Sequence, residues 1–320
     1  NYLNKNNIKS LIIDHHEINK PYPKANVIIN PKKNNGYIEY DYLCATTLVY
    51  FFLDLLSQKI ICKFKISDFL IYVLLATVCD VMPIRKFNRL IAITVLKNFK
   101  IDHNLAIKEI FNLSNKKKKL NINDIGYLIG PILNAGGRLG KSNHAANLLS
   151  SNNLKEIKNL SKELIKLNDR RKKIETLIIN EIDFDKIKKE DNSVIIYYNS
   201  NINEGLIGII AARLKDFFNK PSIVITNSNN ILKGSARSIS NYNIGRTVKN
   251  AVSKNILING GGHNNAAGFT LKKDKLKIFK NFLINDFSKS NIIKDNIFRY
   301  DGEISSISFQ KNFYQEIQKL

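Results

Sequence analysis

The spacing of apolar and polar positions changes character twice along the chain. Residues 8–13 (Ile-Lys-Ser-Leu-Ile-Ile) form a short apolar run of the kind that becomes a buried strand, and it stops abruptly at Asp14-His15-His16. Pro21, Pro23 and Pro31 then predict extended, irregular chain through about residue 36. Residues 42–57 are nearly all apolar, which predicts a buried helix. A second apolar helix is expected over 68–79, capped by Ser67-Asp68, and further helices over 88–99 and 103–112. From 153 to 183 one stripe of Leu and Ile recurs amid Lys, Glu and Arg with no Gly or Pro. It predicts a long amphipathic helix, read as a rigid connector with a solvated charged face and no chemistry of its own. Beyond it the pattern alternates, with strands at 193–198, 221–226 and 231–238, a helix over 205–218 and a strand through Ala266–Phe269. Phe309 to Leu320 again reads as helix. The fold class that follows is α/β.

Length and composition narrow this picture. At 320 residues, 44% hydrophobic, the chain has room for two domains with real cores. The most apolar window, 66–84, contains Asp68 and Asp80, so no membrane span is expected. No secretory or transit segment is visible at the start. Cys44, Cys62 and Cys79 lack C-x-x-C spacing, which points to free thiols in a reducing cytoplasm. The net charge of +23 suits a polyanionic partner. Only nine of the 50 basic residues are Arg, however, and Asn and Ile are abundant. That is the signature of an AT-rich genome, to which about half the excess charge is assigned. The first residue is Asn1 and the last helix carries no stop signal, so both ends are expected to be cuts through a longer protein.

Five stretches carry candidate chemistry. Asp14-His15-His16 offers one carboxylate and two imidazoles at the C-terminal end of a strand, where α/β sheets bind ligands and where Mn, Zn or Fe would find donors. Taken alone, it reads equally well as a strand cap beside a solvated histidine. Asp80 ends an apolar helix three residues before Pro83, and a carboxylate buried there is costly unless paired or metal-bound. In Gly130-Pro-Ile-Leu-Asn134-Ala-Gly136-Gly137-Arg138, the glycines are expected to let the backbone approach a ligand and present N–H groups beside Arg138, a bidentate phosphate donor; a Gly-rich turn with a surface Arg is the alternative. Lys233-Gly234-Ser235-Ala-Arg237 is a second phosphate-like setting. Asn259-Gly260-Gly261-Gly262-His263 is expected to be a fixed loop whose amides wrap an anion while His263 donates to it. A flexible turn is the alternative.

Together with Ala76–Pro83, Gly205–Leu214 and Gly261–Gly268, these motifs resemble the DHH phosphoesterase superfamily, and within it the bacterial single-stranded-DNA exonucleases. The resemblance runs in order over nearly the whole chain. It implies two α/β domains joined by a long helix, with the active site in the cleft between them. The expected parts are an incomplete metal-binding domain (1–150), the connector (151–184), a DHH-associated substrate domain (185–292) and the start of an OB-like domain (293–320), entered near 298–307. It implies Mn2+ or Mg2+ in a two-metal site. Asp14, His15, His16 and Asp80 match catalytic positions, with His15, His16 and Asp80 as metal ligands. Asn134, Arg138, Ser235, Arg237, Gly261, Gly262 and His263 match contacts to substrate phosphate. The implied activity is 5′ to 3′ hydrolysis of single-stranded DNA in repair and recombination. Single-stranded DNA, a helicase and a single-strand-binding protein are the implied partners.

Two departures stand out. The family's upstream Asp-x-Asp motif has no counterpart here, so the chain by itself is expected to be inactive. Asn203-Glu204 also stands where the family often has a His. The rival expectations are a phosphodiesterase of short oligonucleotides or cyclic dinucleotides, and a non-catalytic single-strand-binding protein.

Overall fold

The computed structural model describes residues 2–18, 20–33, 38–61, 64–116, 119–290 and 300–317. A helical first half and a sheet-based second half are joined by one 28-residue helix. The first half runs α1 (Tyr2–Lys5), β1 (Leu11–Ile13), β2 (Val27–Ile29), α2 (Ala45–Ser57), α3 (Leu70–Cys79), α4 (Lys86–Asn98), α5 (Leu105–Leu113), α6 (Ile122–Asp124), α7 (Gly130–Arg138) and α8 (His144–Ser150). A π-helical stretch, Ile125–Ile129, leads α6 directly into α7. The connector is α9 (Leu154–Glu181). Then follow α10 (Phe184–Glu190), β3 (Ile195–Tyr198), α11 (Ile207–Phe218), β4 (Ser222–Ser228), β5 (Ile231–Arg237), α12 (Ile244–Ser253), β6 (Asn259–His263), β7 (Ala266–Leu271), α13 (Leu276–Ser288) and α14 (Lys311–Ile317).

The expected buried first strand is in fact short and half open. β1 pairs in parallel with β2, a strand hidden in the proline-rich stretch that the sequence left irregular. Among the described residues that is its one partner strand, so the paired Leu11 and Val27 stay in solvent. The first core lies instead among helices. Leu74, Ile107, Ile110, Phe111, Ile125, Ile129, Leu148 and Leu164 are fully buried at the meeting of α3, α5, α7, α8 and α9. Each such side chain contributes roughly 1.5–3 kcal/mol of burial. The expected Ser67-Asp68 cap does not form: a 3-10 turn, Ile66–Phe69, precedes α3 and has no side-chain cap.

In the second half a five-stranded sheet is ordered β3-β4-β5-β7-β6, parallel only between β3 and β4. Alternation divides its residues cleanly. Ile223, Ile225, Leu232, Ala236, Ala267, Phe269 and Leu271 face one way and pack with α12 and α13 through Val248, Phe279 and Leu283. On the opposite face Ile195 and Val224 are covered by α11. The rest of that face, from β5 to β6, carries Lys233, Ser235, Arg237, Gly268, Thr270 and Gly261 and is only partly covered, Gly208 of α11 lying against Ser235 and Arg237. Half of one face is therefore a polar platform rather than core. The 291–299 part of the expected OB-like entry lies outside the described residues. The described remainder, with α14, is exposed, and residues 318–320 of the expected last helix are also outside. Among the described residues no helix is long and apolar enough to cross a membrane.

Candidate active site

The end of β1 delivers Asp14, His15 and His16 to one edge of the molecule. One donor atom from each lies within 4.8 Å of the others, the grouping a cation needs. The Asp14 carboxylate accepts from His16 Nδ1 at 2.7 Å, and the two imidazoles sit 4.5 Å apart. Burial by itself raises the Asp14 carboxyl. The His16 hydrogen bond and the amides of residues 15 and 16 outweigh it, so Asp14 ends below the usual carboxylate range. His15 is the enclosed member. The Ala45 amide at the start of α2 donates to its Nδ1 at 3.2 Å, which turns Nε2 toward Asp80, 3.8 Å away. Burial, then the neighbouring His16, push the His15 imidazole below its ordinary value. A residue missed in the sequence holds this turn. Buried Asn30, just past β2, donates to the His16 carbonyl at 3.0 Å and accepts from the Lys32 amide at 2.8 Å.

Asp80 needs a correction. It is the C-cap of α3 but is not buried; its side chain is 48% exposed, so the cost of burial is no argument for a partner. What marks it is position. It opens onto a cavity of about 800 Å³ and stands opposite His15. The next residue, Val81, has φ 53°, a left-handed backbone that a β-branched side chain resists.

The same cavity is walled by α7, and here both the expected ligand-facing glycine backbone and the alternative turn are overturned. Residues 130–138 are helix, so the amides of Gly136 and Gly137 lie inside it instead of facing a ligand. The glycines serve packing. A Cβ on Gly130 would lie 2.7 Å from Cys79 Sγ, and one on Gly136 2.5 Å from the Lys141 carbonyl and 3.3 Å from Leu164 on α9. Close approach by α7 is what sets Asn134 and Arg138, one turn apart on one face, across from Asp80.

Arg138 also lines a second cavity of about 670 Å³ on the sheet side, with Ser235, Arg237, Lys233, Glu204 and Gly268. Its Nη1 donates to the Gly205 carbonyl at 3.0 Å, and Arg237 donates to Ser235 Oγ at 3.1 Å and to the Ala236 carbonyl at 2.9 Å. Neither guanidinium has a carboxylate in contact among the described residues. Burial lowers both from the ordinary guanidinium value. Arg171 pushes Arg138 further the same way while Glu175 opposes it, and Arg138 does likewise to Arg237. Two half-buried cations, neither in contact with a carboxylate, make a recess that would suit an anion. At the rim Glu204 pairs with Lys233 at 2.7 Å and accepts from Ser228 Oγ at 3.0 Å, which holds its carboxyl below the usual range.

The triple glycine is likewise not a loop. Residues 259–263 form edge strand β6, paired with β7 through the Asn264-Asn265 turn. A Cβ on Gly260 would lie 2.6 Å from Val248 on α12, and one on Gly262 2.2 Å from the Ala266 carbonyl. Gly261 has nothing within 4 Å, and it pairs with Gly268 on the open face. Bare backbone there leaves the floor of the platform free. His263 is exposed at the strand end and lines neither cavity.

The structure thus groups Asp14, His15 and His16, sets Asp80 outside that cluster beside His15, faces it with Asn134 and Arg138, and sets Ser235 and Arg237 behind Arg138. The connector also proves to carry polar groups of the site: Arg171 and Glu175 are largely buried and line the larger cavity. Their face was expected to be solvated. The signal was present, because Arg171 is one of few arginines in a lysine-rich chain.

The DHHA1 domain family model matches residues 191–289. The chain is 28% identical to the single-stranded-DNA-specific exonuclease RecJ of Haemophilus influenzae over 96% of its length and 57% of that protein's. It is 30% identical to the Bacillus subtilis protein of the same name over 89% of its length and 35% of that protein's. The chain therefore spans about half or less of these curated relatives. Among solved structures it is similar to RecJ from Thermus thermophilus in complex with Mn2+, with a TM-score of 0.75, 20% identity and coverage of 89% of this chain and 42% of that one. It is also similar to an exonuclease RecJ bound to manganese, with a TM-score of 0.68, 21% identity and coverage of 90% and 71%.

Proposed function

We propose, from the premise that the chain is a RecJ-type DHH protein, that it carries the cleft in which single-stranded DNA is hydrolysed from its 5′ end. The observation that carries this reading is the pair of guanidiniums without a carboxylate contact, Arg138 and Arg237, half-buried near the Asp14-His15-His16 cluster and Asp80 beside it. In this reading residues 1–150 supply the metal edge, 151–184 the connector and 185–292 the substrate grip.

Two carboxylates and two imidazoles are a donor set that suits Mn2+ and also accepts Mg2+. Asp14, His15, His16 and Asp80 would hold the ion, which supplies a water acidic enough to attack at neutral pH and offsets charge on the phosphoryl oxygens. The protein's own groups do the rest. Asn30 and the Ala45 amide fix the orientation of the two histidines. Arg138, presented by α7, holds a phosphate with two parallel N–H donors, and Asn134 adds a neutral one. Ser235 and Arg237 bind the end phosphate on the platform, where Gly261 and Gly268 leave room for the sugar-phosphate chain. His263 lies at the strand end, where it would reach only a part of the strand beyond the two cavities. Held at both ends, the scissile phosphate would lie against the metal edge. The proposed setting is DNA repair and recombination in the cytoplasm, with a helicase and a single-strand-binding protein supplying the strand.

The test is cleavage by the full-length protein with Mn2+ or Mg2+ on 5′-labelled single strands, duplexes and dinucleotides. Release of mononucleotides from the 5′ end of long single strands is the expected result. Preference for dinucleotides, or binding without cleavage, would replace the reading.

A further inference from the structure

The larger cavity has a wall that the reaction as described does not use. Glu175 on the connector is nearly buried and is shared by two arginines from different helices. Its Oε2 accepts from Arg171 Nη1 at 2.8 Å, one turn earlier on α9, and its Oε1 accepts from Arg213 Nε of α11 at 2.9 Å. The two arginines are used differently. Arg171 is enclosed and donates its Nε and Nη2 to Asn168 Oδ1 at 3.3 and 3.1 Å, so its donors are largely spent within the protein. Arg213 is 64% exposed and gives Glu175 only its Nε. Its two Nη groups have no acceptor among the described residues, and the residue lines the cavity that Asp80 and Arg138 also line.

The charge balance favours an anion here. Glu175 offsets one of the two guanidiniums, and Asp216, the other acid on this wall, is paired with Lys215. One positive charge is left over, on a fork whose plane is already fixed from its back by a carboxylate on another helix. A flexible surface arginine gives up side-chain entropy on binding, whereas one held this way has less to lose. A cavity of about 800 Å³ is also roomy enough for more than one phosphate group.

We infer that Arg213 is a binding residue for a further backbone phosphate of the strand, distinct from those at Arg138 and Arg237. Glu175 and Arg171 are its positioning residues. The inference rests on the single-strand reading above and extends it: the strand is followed into the larger cavity and gripped by a residue of the second half. An alternative account makes Glu175–Arg213 a structural tie between the connector and α11 and nothing more.

The two accounts differ in salt dependence. Affinity of the full chain for a fluorescent single-stranded oligonucleotide is measured from low to high salt, without divalent metal, alongside thermal melting. Each phosphate neutralised contributes about 0.7 to the log–log slope for single strands. Arg213→Gln, which keeps a donor for Glu175, is expected to flatten that slope by about 0.7 and weaken binding several-fold at low salt, with the melting temperature nearly unchanged. Arg213→Lys keeps the charge and loses the fork. It should keep the slope and still bind several-fold more weakly, and it covers the case in which the glutamine variant fails to fold. Glu175→Gln should weaken binding without flattening the slope.

A wild-type slope in Arg213→Gln, or wild-type affinity in Arg213→Lys, overturns the assignment and leaves the structural tie. Failure of the unmodified chain to bind single strands at all would instead count against the single-strand reading itself, and would take this inference with it.

Discussion

Replacing Gly205 with alanine tests how the two halves are joined. Gly205 lies in the turn before α11, and a Cβ there would stand 2.3 Å from the Arg138 carbonyl oxygen, with that residue's Cα at 2.9 Å. Ordinary contact begins near 3.4 Å, so something must move by about 1 Å, and every atom involved is backbone. If the junction holds, the strain of overpacking is roughly 1–3 kcal/mol. If it gives, the Arg138–Gly205 hydrogen bond opens and Arg138 shifts by about 1 Å relative to Ser235 and Arg237. A shift of that size in a positioning group can lower turnover by about 100-fold. Urea unfolding of Gly205→Ala should therefore show a loss of about 1–3 kcal/mol, or cleavage of an end-labelled single strand by the complete protein should fall by about two orders of magnitude. Unchanged stability together with unchanged cleavage would refute the claim that this contact sets the site. Gly137→Ala is the matched control. It has no neighbour within 4 Å, sits inside a helix and should gain up to about 1 kcal/mol.

Other consequences are as direct. Asp80→Ala in the complete protein should abolish metal-dependent cleavage while leaving most single-strand binding, measured by fluorescence anisotropy without metal; wild-type cleavage would remove Asp80 from the metal edge. Val81 is 87% exposed and held at φ 53°, so Val81→Asn loses no packing and should stabilise by about 1 kcal/mol in urea titration. Partial enclosure of its sulfur, then the Asp80 carboxylate, raise the thiol of the otherwise exposed Cys79 above its usual range, so less thiolate is present at pH 8 and alkylation by iodoacetamide should be slower than for free cysteine. In a Cys62→Ser background Asp80→Asn should speed that alkylation, and an unchanged rate would show that the two groups do not sense each other.

What the sequence reveals and what it hides have separate physical causes. Helices with a long apolar stripe, such as α2, α3 and α9, were legible because the stripe is their reason for folding. α7 was not, because Gly-Gly-Arg read locally is a turn, and only contacts with Cys79 and with Leu164 on α9 explain glycines in a helix. β6 was hidden for the same reason: three glycines carry no strand propensity, and the hairpin with β7 and the press of α12 impose the strand. β2 is only three residues long, beneath the reach of any periodic signal. Within the candidate site, Asp14, His15, His16, Asp80 and Arg138 announced themselves by their chemistry. Asn30 and Glu175 did not, since an asparagine after a strand or a glutamate on a charged helix looks solvated until a neighbouring segment folds against it.

Arg138 borders both cavities, so an occupant of each would share one guanidinium. An anion that draws the guanidinium toward the sheet changes what remains for an anion on the helix side. Linkage makes the effect reciprocal: the factor by which a nucleotide in the smaller cavity alters affinity in the larger one is the factor by which the strand alters retention of that nucleotide. Under the proposed single-strand reading, departure of a short fragment and advance of the strand behind it would be two measurements of one coupling free energy.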